Sequence, residues 1–147
     1  MQNTAECFAH AKGLEGAGEW SELQRILPDF RGKSVLDLGC GYGWHCKYAA
    51  DHGASSVLGT DISRKMLDKA RWINSAPPIE YRCAAMEDLQ FADSSFDIVL
   101  SSLAFHYVRD FEPLVAHIAR WVRPGGNFVL FGGASGVHRL RDAGLGL

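Results

Sequence analysis

The chain has 147 residues, a formal net charge of -2 and 47% hydrophobic residues, about one domain with enough apolar material for a sizeable core. That balance gives no electrostatic case for nucleic acid or an anionic membrane surface as the main partner. No apolar run approaches the ~20 residues of a membrane span, and the opening Met-Gln-Asn-Thr-Ala-Glu lacks the charged and apolar regions of a signal peptide, so a cytoplasmic protein is expected. Cys7, Cys40, Cys46 and Cys83 show neither a Cys-x-x-Cys pair nor zinc spacing and read as free thiols in a reducing compartment; no metal is implied.

Residues 1–18 are weakly patterned, with Gly13, Gly16 and Gly18 as breaks, and read as a flexible segment or short helix. From Glu19 to Leu27 the apolar positions Trp20, Leu23, Ile26 and Leu27 fall at helical spacing, and Pro28 stops the helix. Val35 to Leu38 is a short apolar run interrupted by Asp37, as expected of a buried parallel strand with one functional carboxylate near its end. Gly39, Gly41 and Gly43 then permit a sharp turn that a ligand can approach closely. A helix should follow over Trp44 to His52, with Gly53 ending it.

Ser55 to Thr60 reads as a second strand ending at Asp61. That aspartate is placed either to accept hydrogen bonds from both ribose hydroxyls of an adenosine or to cap the next helix; Ser63 is available for the capping. Arg64 to Asn74 makes a helix with Met66, Leu67, Ala70 and Ile73 toward the sheet, closed by Pro77-Pro78. Ile79 to Cys83 is a third strand, Phe96 to Ser102 a fourth, Phe111 to Val122 a helix, Arg123-Pro124-Gly125-Gly126 a turn, and Asn127 to Phe131 a fifth strand. Strands alternating with helices give an α/β fold, a doubly wound and mostly parallel sheet with helices on both faces. The end of the fourth strand should meet the end of the first, since such sheets bind ligands where the strand order reverses.

A dinucleotide site would show Gly-x-Gly-x-x-Gly, with the third glycine inside the helix. Here the pattern is Gly-x-Gly-x-Gly, and Asp37 stands two residues before it. A carboxylate there repels a pyrophosphate and suits an ammonium group. The stretch resembles the first motif of class I S-adenosylmethionine-dependent methyltransferases, and the Ser-Ser-Leu-Ala-Phe-His-Tyr run from Ser101 is similar to the small-molecule branch that includes quinone-biosynthesis enzymes. An apolar-Arg-Pro-Gly-Gly entry to the fifth strand also matches. The motif of base-modifying amino methyltransferases after the fourth strand is missing, which argues against a nucleobase substrate.

The resemblance implies S-adenosylmethionine as cofactor and a small-molecule methyl acceptor. Asp37, Gly39, Cys40, Gly41 and Gly43 would hold its amino acid end and Asp61 its ribose, with Ile62 and Met66 nearby. Met86 with Glu87 or Asp88 would meet the adenine; Ser101, Ser102 and Leu103 would lie beside the methionine part. Among Phe105, His106 and Tyr107, His106 is the candidate base for the acceptor's proton, with a merely packed or exposed histidine as the alternative. Lys12 to Trp20 is a lid candidate over the 19–131 core. Two other readings stay open, a cofactor-binding module without catalysis and a nicotinamide-dependent oxidoreductase.

The resemblance ends at Phe131. Gly132 to Leu147 is glycine-rich and too short for a crossover helix and two strands, so the chain reads as cut short and lacking the last strands of the usual seven-stranded sheet. A flexible tail or short helix is expected there. The fifth strand would then be an exposed apolar edge, a possible homodimer interface.

Overall fold

The computed structural model describes residues 20–102, 111–131 and 137–141. Helix α1 (Trp20–Ile26) leads into β1 (Ser34–Leu38), α2 (Trp44–Asp51), β2 (Ser56–Asp61), α3 (Arg64–Ile73), β3 (Ile79–Cys83) and a 3-10 turn (Met86–Asp88). Strand β4 (Phe96–Ser102), helix α4 (Phe111–Trp121), β5 (Val122–Phe131) and β6 (Val137–Arg141) complete the order. The strands form one sheet in the order β3-β2-β1-β4-β5-β6, with the first five parallel and β6 antiparallel to β5. Strand order reverses between β1 and β4, where the expected crevice lies.

Alternation of side chains along β1 divides the core into two layers. Val35 faces the layer of Leu23, Cys46, Ala49, Leu67, Ala70, Ile98 and Leu100, which α1, α2 and α3 cover. Leu36 and Leu38 face the layer of Leu58, Val99, Leu114, Ile118, Trp121 and Phe128, under α4. Burial on both faces explains why the central strands read as near-continuous apolar runs rather than alternating ones. Removing one such side chain, as in Leu36→Ala, costs ~2–5 kcal/mol through lost transfer energy and the cavity left behind. Helix α3 begins as expected: the Ser63 hydroxyl accepts from the Met66 N–H at 3.2 Å, leaving Asp61 for other work.

Two expectations at the C-terminal side are corrected. Residues 132–147 are not simply a flexible tail or short helix, because Val137–Arg141 is a strand paired with β5 from Asn127↔Arg141 to Phe131↔Val137. Strand β5 is therefore not an unpaired edge, and the reason for a homodimer through it disappears. The Arg123-Pro124-Gly125-Gly126 turn lies inside β5: Phe96 pairs with Val122 and Ile98 with Asn127, so these four residues bulge opposite Asp97 alone. Gly125 takes φ 82° there, and Gly126 sits where a Cβ would come within 2.5 Å of the Asp97 carbonyl.

The bulge is tied down at the N-terminal ends of the strands. Asp97 accepts from the Ser34 N–H at 2.9 Å, and Arg123 Nη1 donates to both of its oxygens at 3.1 Å. Burial works to raise the Asp97 carboxyl, but the bonds from Ser34 and the Arg123 charge outweigh it and hold it below 3.8.

Candidate functional site

At the opposite end of the sheet, β1 delivers Asp37 directly beneath the glycine turn. Asp37 has no solvent exposure. Its Oδ2 accepts a hydrogen bond from the Cys46 thiol at 3.5 Å, and Oδ1 has no partner. Burial is the main cause that raises its carboxyl to about 7, with a smaller push from Asp61 and an opposing pull from the Cys46 thiol. The neighbouring Cys40 thiol and burial push Cys46 well up, so it remains a protonated donor. A buried carboxylate oxygen without a partner costs free energy in the ligand-free chain, and an ammonium group is the partner whose charge would offset that cost.

The turn above it needs its glycines. Gly39, Gly41 and Gly43 have φ of 69°, 55° and 83°, the left-handed region that residues with a Cβ adopt only with strain. At Gly41 a Cβ would meet nothing within 4 Å, so the space over the turn is open. The backbone is held from several sides: Cys40 N–H donates to the Thr60 carbonyl at 2.9 Å and Gly43 N–H to the Cys40 carbonyl at 2.9 Å. Gly43 ends the turn without a side-chain cap, and α2 has no acidic residue in its first turn.

Asp61 closes the next side. Its Oδ2 accepts from the Gly41 N–H at 2.9 Å and its Oδ1 from the Ser63 N–H at 2.8 Å. Two backbone donors fix the plane of the carboxylate while each oxygen keeps a lone pair, which is what recognition of a vicinal diol requires. Ile62 beside it is 69% exposed, an unusual position for a large apolar side chain. Met66 is half-buried on α3.

The β3 end comes close through the Ala84 N–H, which donates to the Asp61 carbonyl at 3.0 Å. Met86 packs against the α4-side core layer, whereas Glu87 and Asp88 are exposed on the 3-10 turn. Ser101 is fully buried on β4 beside Leu38, and its hydroxyl has no partner. Ser102 ends the same strand. Leu103, Phe105, His106, Tyr107 and the segment 1–19 lie outside the described residues. The C-terminal strand ends thus bring Asp37, the glycine turn, Asp61, the 84–88 loop and Ser101 to one end of the sheet.

Several contributors were not legible in the chain order. Thr60 Oγ1 and Trp44 Nε1 are buried without partners, and Asn74 and Tyr81 reach the glycine turn from α3 and β3. Asn74 gives one signal, as a polar residue at the end of an amphipathic helix; Tyr81 and Thr60 read as ordinary strand residues. Among the described residues no group of His, Cys, Asp and Glu is arranged to hold a metal ion, and no helix is long and apolar enough to cross a membrane.

A family model for a methyltransferase domain matches residues 36–130. The ubiquinone biosynthesis O-methyltransferase of Neisseria meningitidis is 36% identical over 129 residues, which cover 78% of this chain and 54% of that protein. The crystal structure of an S-adenosylmethionine dependent methyltransferase from Mesorhizobium loti superposes with a TM-score of 0.78 at 38% identity, covering 89% of this chain and 67% of the other. Phosphoethanolamine N-methyltransferase 1 of Haemonchus contortus, in complex with phosphoethanolamine and S-adenosylhomocysteine, gives a TM-score of 0.78 at 27% identity, covering 90% of this chain and 29% of the other. The chain spans between a quarter and about half the length of the curated relatives it matches, 54% in the Neisseria case.

Proposed function

This chain belongs to the methyltransferase domain family, and from that premise we propose that it binds S-adenosylmethionine and transfers the methyl group to a small-molecule acceptor. The observation that carries this reading is the Asp37 carboxylate, fully buried under the glycine turn with Oδ1 lacking a partner. It fits the ammonium of an amino acid and opposes a pyrophosphate.

When bound, the cofactor supplies a methyl group on a sulfonium, so the leaving thioether needs no acid. The residues therefore have to bind, orient and exclude water, and holding the acceptor in line provides much of the acceleration. Asp37 holds the ammonium, and the Gly39, Cys40, Gly41 and Gly43 turn admits the amino acid end. Asp61 takes the ribose hydroxyls. Ile62, Met66 and Met86 offer apolar contact to the adenine, with Glu87 or Asp88 toward its exocyclic amine; Ser101 and Ser102 lie toward the methionine part. His106 takes the acceptor's proton. The relatives named for ubiquinone biosynthesis and phosphoethanolamine support a small-molecule acceptor. The free thiols of Cys40, Cys46 and Cys83 suit the cytoplasm.

The test is calorimetric titration with S-adenosylhomocysteine, with NAD as comparison and Asp61→Ala as control. Micromolar binding of the first, none of the second and loss in the variant are expected. A folded chain that binds neither would overturn the reading. Transfer of labelled methyl to a panel of phenols, amines and carboxylic acids then assigns the acceptor.

A further inference from the structure

We propose that Asn74 and Tyr81 are positioning residues that brace the glycine turn from the α3–β3 side, and that they act selectively on the amino acid end of the bound ligand. The proposal rests on the cofactor reading above. Asn74 is 1% exposed at the C-terminus of α3, and its backbone N–H continues the helix to the Ala70 carbonyl. Its side-chain Nδ2 does not serve the helix: it crosses to donate to the Tyr42 carbonyl, inside the glycine turn, at 2.8 Å. Tyr81, buried in the middle of β3, donates its hydroxyl to the Asn74 carbonyl at 2.7 Å. A helix end, a strand and the turn are thereby linked by two hydrogen bonds across 32 residues of sequence.

The Tyr81 ring adds a steric part. A Cβ on Gly43 would overlap the tyrosine hydroxyl, and one on Gly59 would come within 2.9 Å of the ring and 2.8 Å of the Cys46 sulfur. The ring thus fills the slot beneath the turn. Three consecutive residues of the turn are held at once: Gly41 N–H by Asp61, the Tyr42 carbonyl by Asn74, and Gly43 N–H by the Cys40 carbonyl. Only the first of these belongs to the ribose side. The brace can therefore fail with Asp61 still in place, because the Ser63 N–H continues to hold that carboxylate.

This separation makes the proposal testable with two ligands, S-adenosylhomocysteine and 5′-methylthioadenosine, which keeps the adenosine and lacks the amino acid end. Both are titrated calorimetrically against wild type, Asn74→Ala and Tyr81→Phe, with melting curves recorded for each protein. Loss of one buried hydrogen bond should weaken S-adenosylhomocysteine roughly five- to tenfold, while the affinity for 5′-methylthioadenosine changes by less than about twofold. Amide exchange at Gly41 and Gly43 in the ligand-free variants should quicken. Tyr81→Phe keeps the ring in its slot and decides the matter if Asn74→Ala does not fold. Unchanged affinities for both ligands, or equal losses for both, would overturn the brace. A wild-type chain that binds neither ligand would overturn the cofactor reading itself, and with it this proposal.

Discussion

Burial keeps the Asp37 carboxyl protonated up to about pH 7 in the free chain, and that has two measurable consequences. Its folded value of about 7 lies above the ordinary 3.8, so the folded state holds a proton that the unfolded state has released. Its contribution is then fully present below about pH 4 and is lost as pH rises through 7. Asp37→Asn, which removes the ionisation, should raise the melting temperature of the ligand-free chain at pH 8 and cost S-adenosylhomocysteine at least about tenfold in affinity, the loss of a charge-assisted hydrogen bond. Affinity in the wild type should rise about tenfold between pH 6 and 8 as Asp37 ionises. Titrations in buffers of different ionisation enthalpy would show the released proton; a flat profile would remove the ammonium from Asp37.

Between elements, the Arg123–Asp97–Ser34 cluster has the opposite pH sense. The Asp97 value is depressed, so its contribution is in place above the ordinary carboxylate value and is lost as pH falls through the lower one. Arg123→Ala should cost ~1 kcal/mol by urea unfolding at pH 7 and less at pH 3, since the pair is half-exposed. Ending the chain at Phe131 should lower solubility and promote association by size-exclusion chromatography, because β5 would present Phe128, Val129 and Leu130 on an unpaired edge. The elements on which these effects turn were unequally legible. Phe96 to Ser102 could be read from its apolar centre, Ile79 to Cys83 from the Pro77-Pro78 turn signal before it, and Asp37 and Asp61 from their places beside glycines and a strand end. Strand β6 could not, because glycine and arginine mask a segment whose pairing with β5 is decided by tertiary contact rather than propensity. The bulge read as a turn because its residues are those of a turn, and only the partner strand shows that β5 continues on both sides. The bond from Asn74 to the glycine turn was invisible, since a hydrogen bond across 32 positions leaves no local pattern.

For the whole molecule, ligand and stability are linked. S-adenosylhomocysteine at a hundred times its Kd should stabilise the fold by ~2.7 kcal/mol and raise the melting temperature by roughly 5–10 °C. Asp61→Ala should abolish that rise while keeping a cooperative transition. The sheet order carries a last consequence for how the chain emerges during synthesis. Strands β1, β2, β3 and β4, with Asp37, the glycine turn, Asp61, Tyr81 and Ser101, are all made before residue 103, yet β4 is a central strand whose outer neighbour is β5. A nascent chain made only through β4 already holds every described group proposed to face the cofactor, on a sheet whose β4 side is still open. The antiparallel β5–β6 pair, made after β4, then covers that side of β4 in one local step.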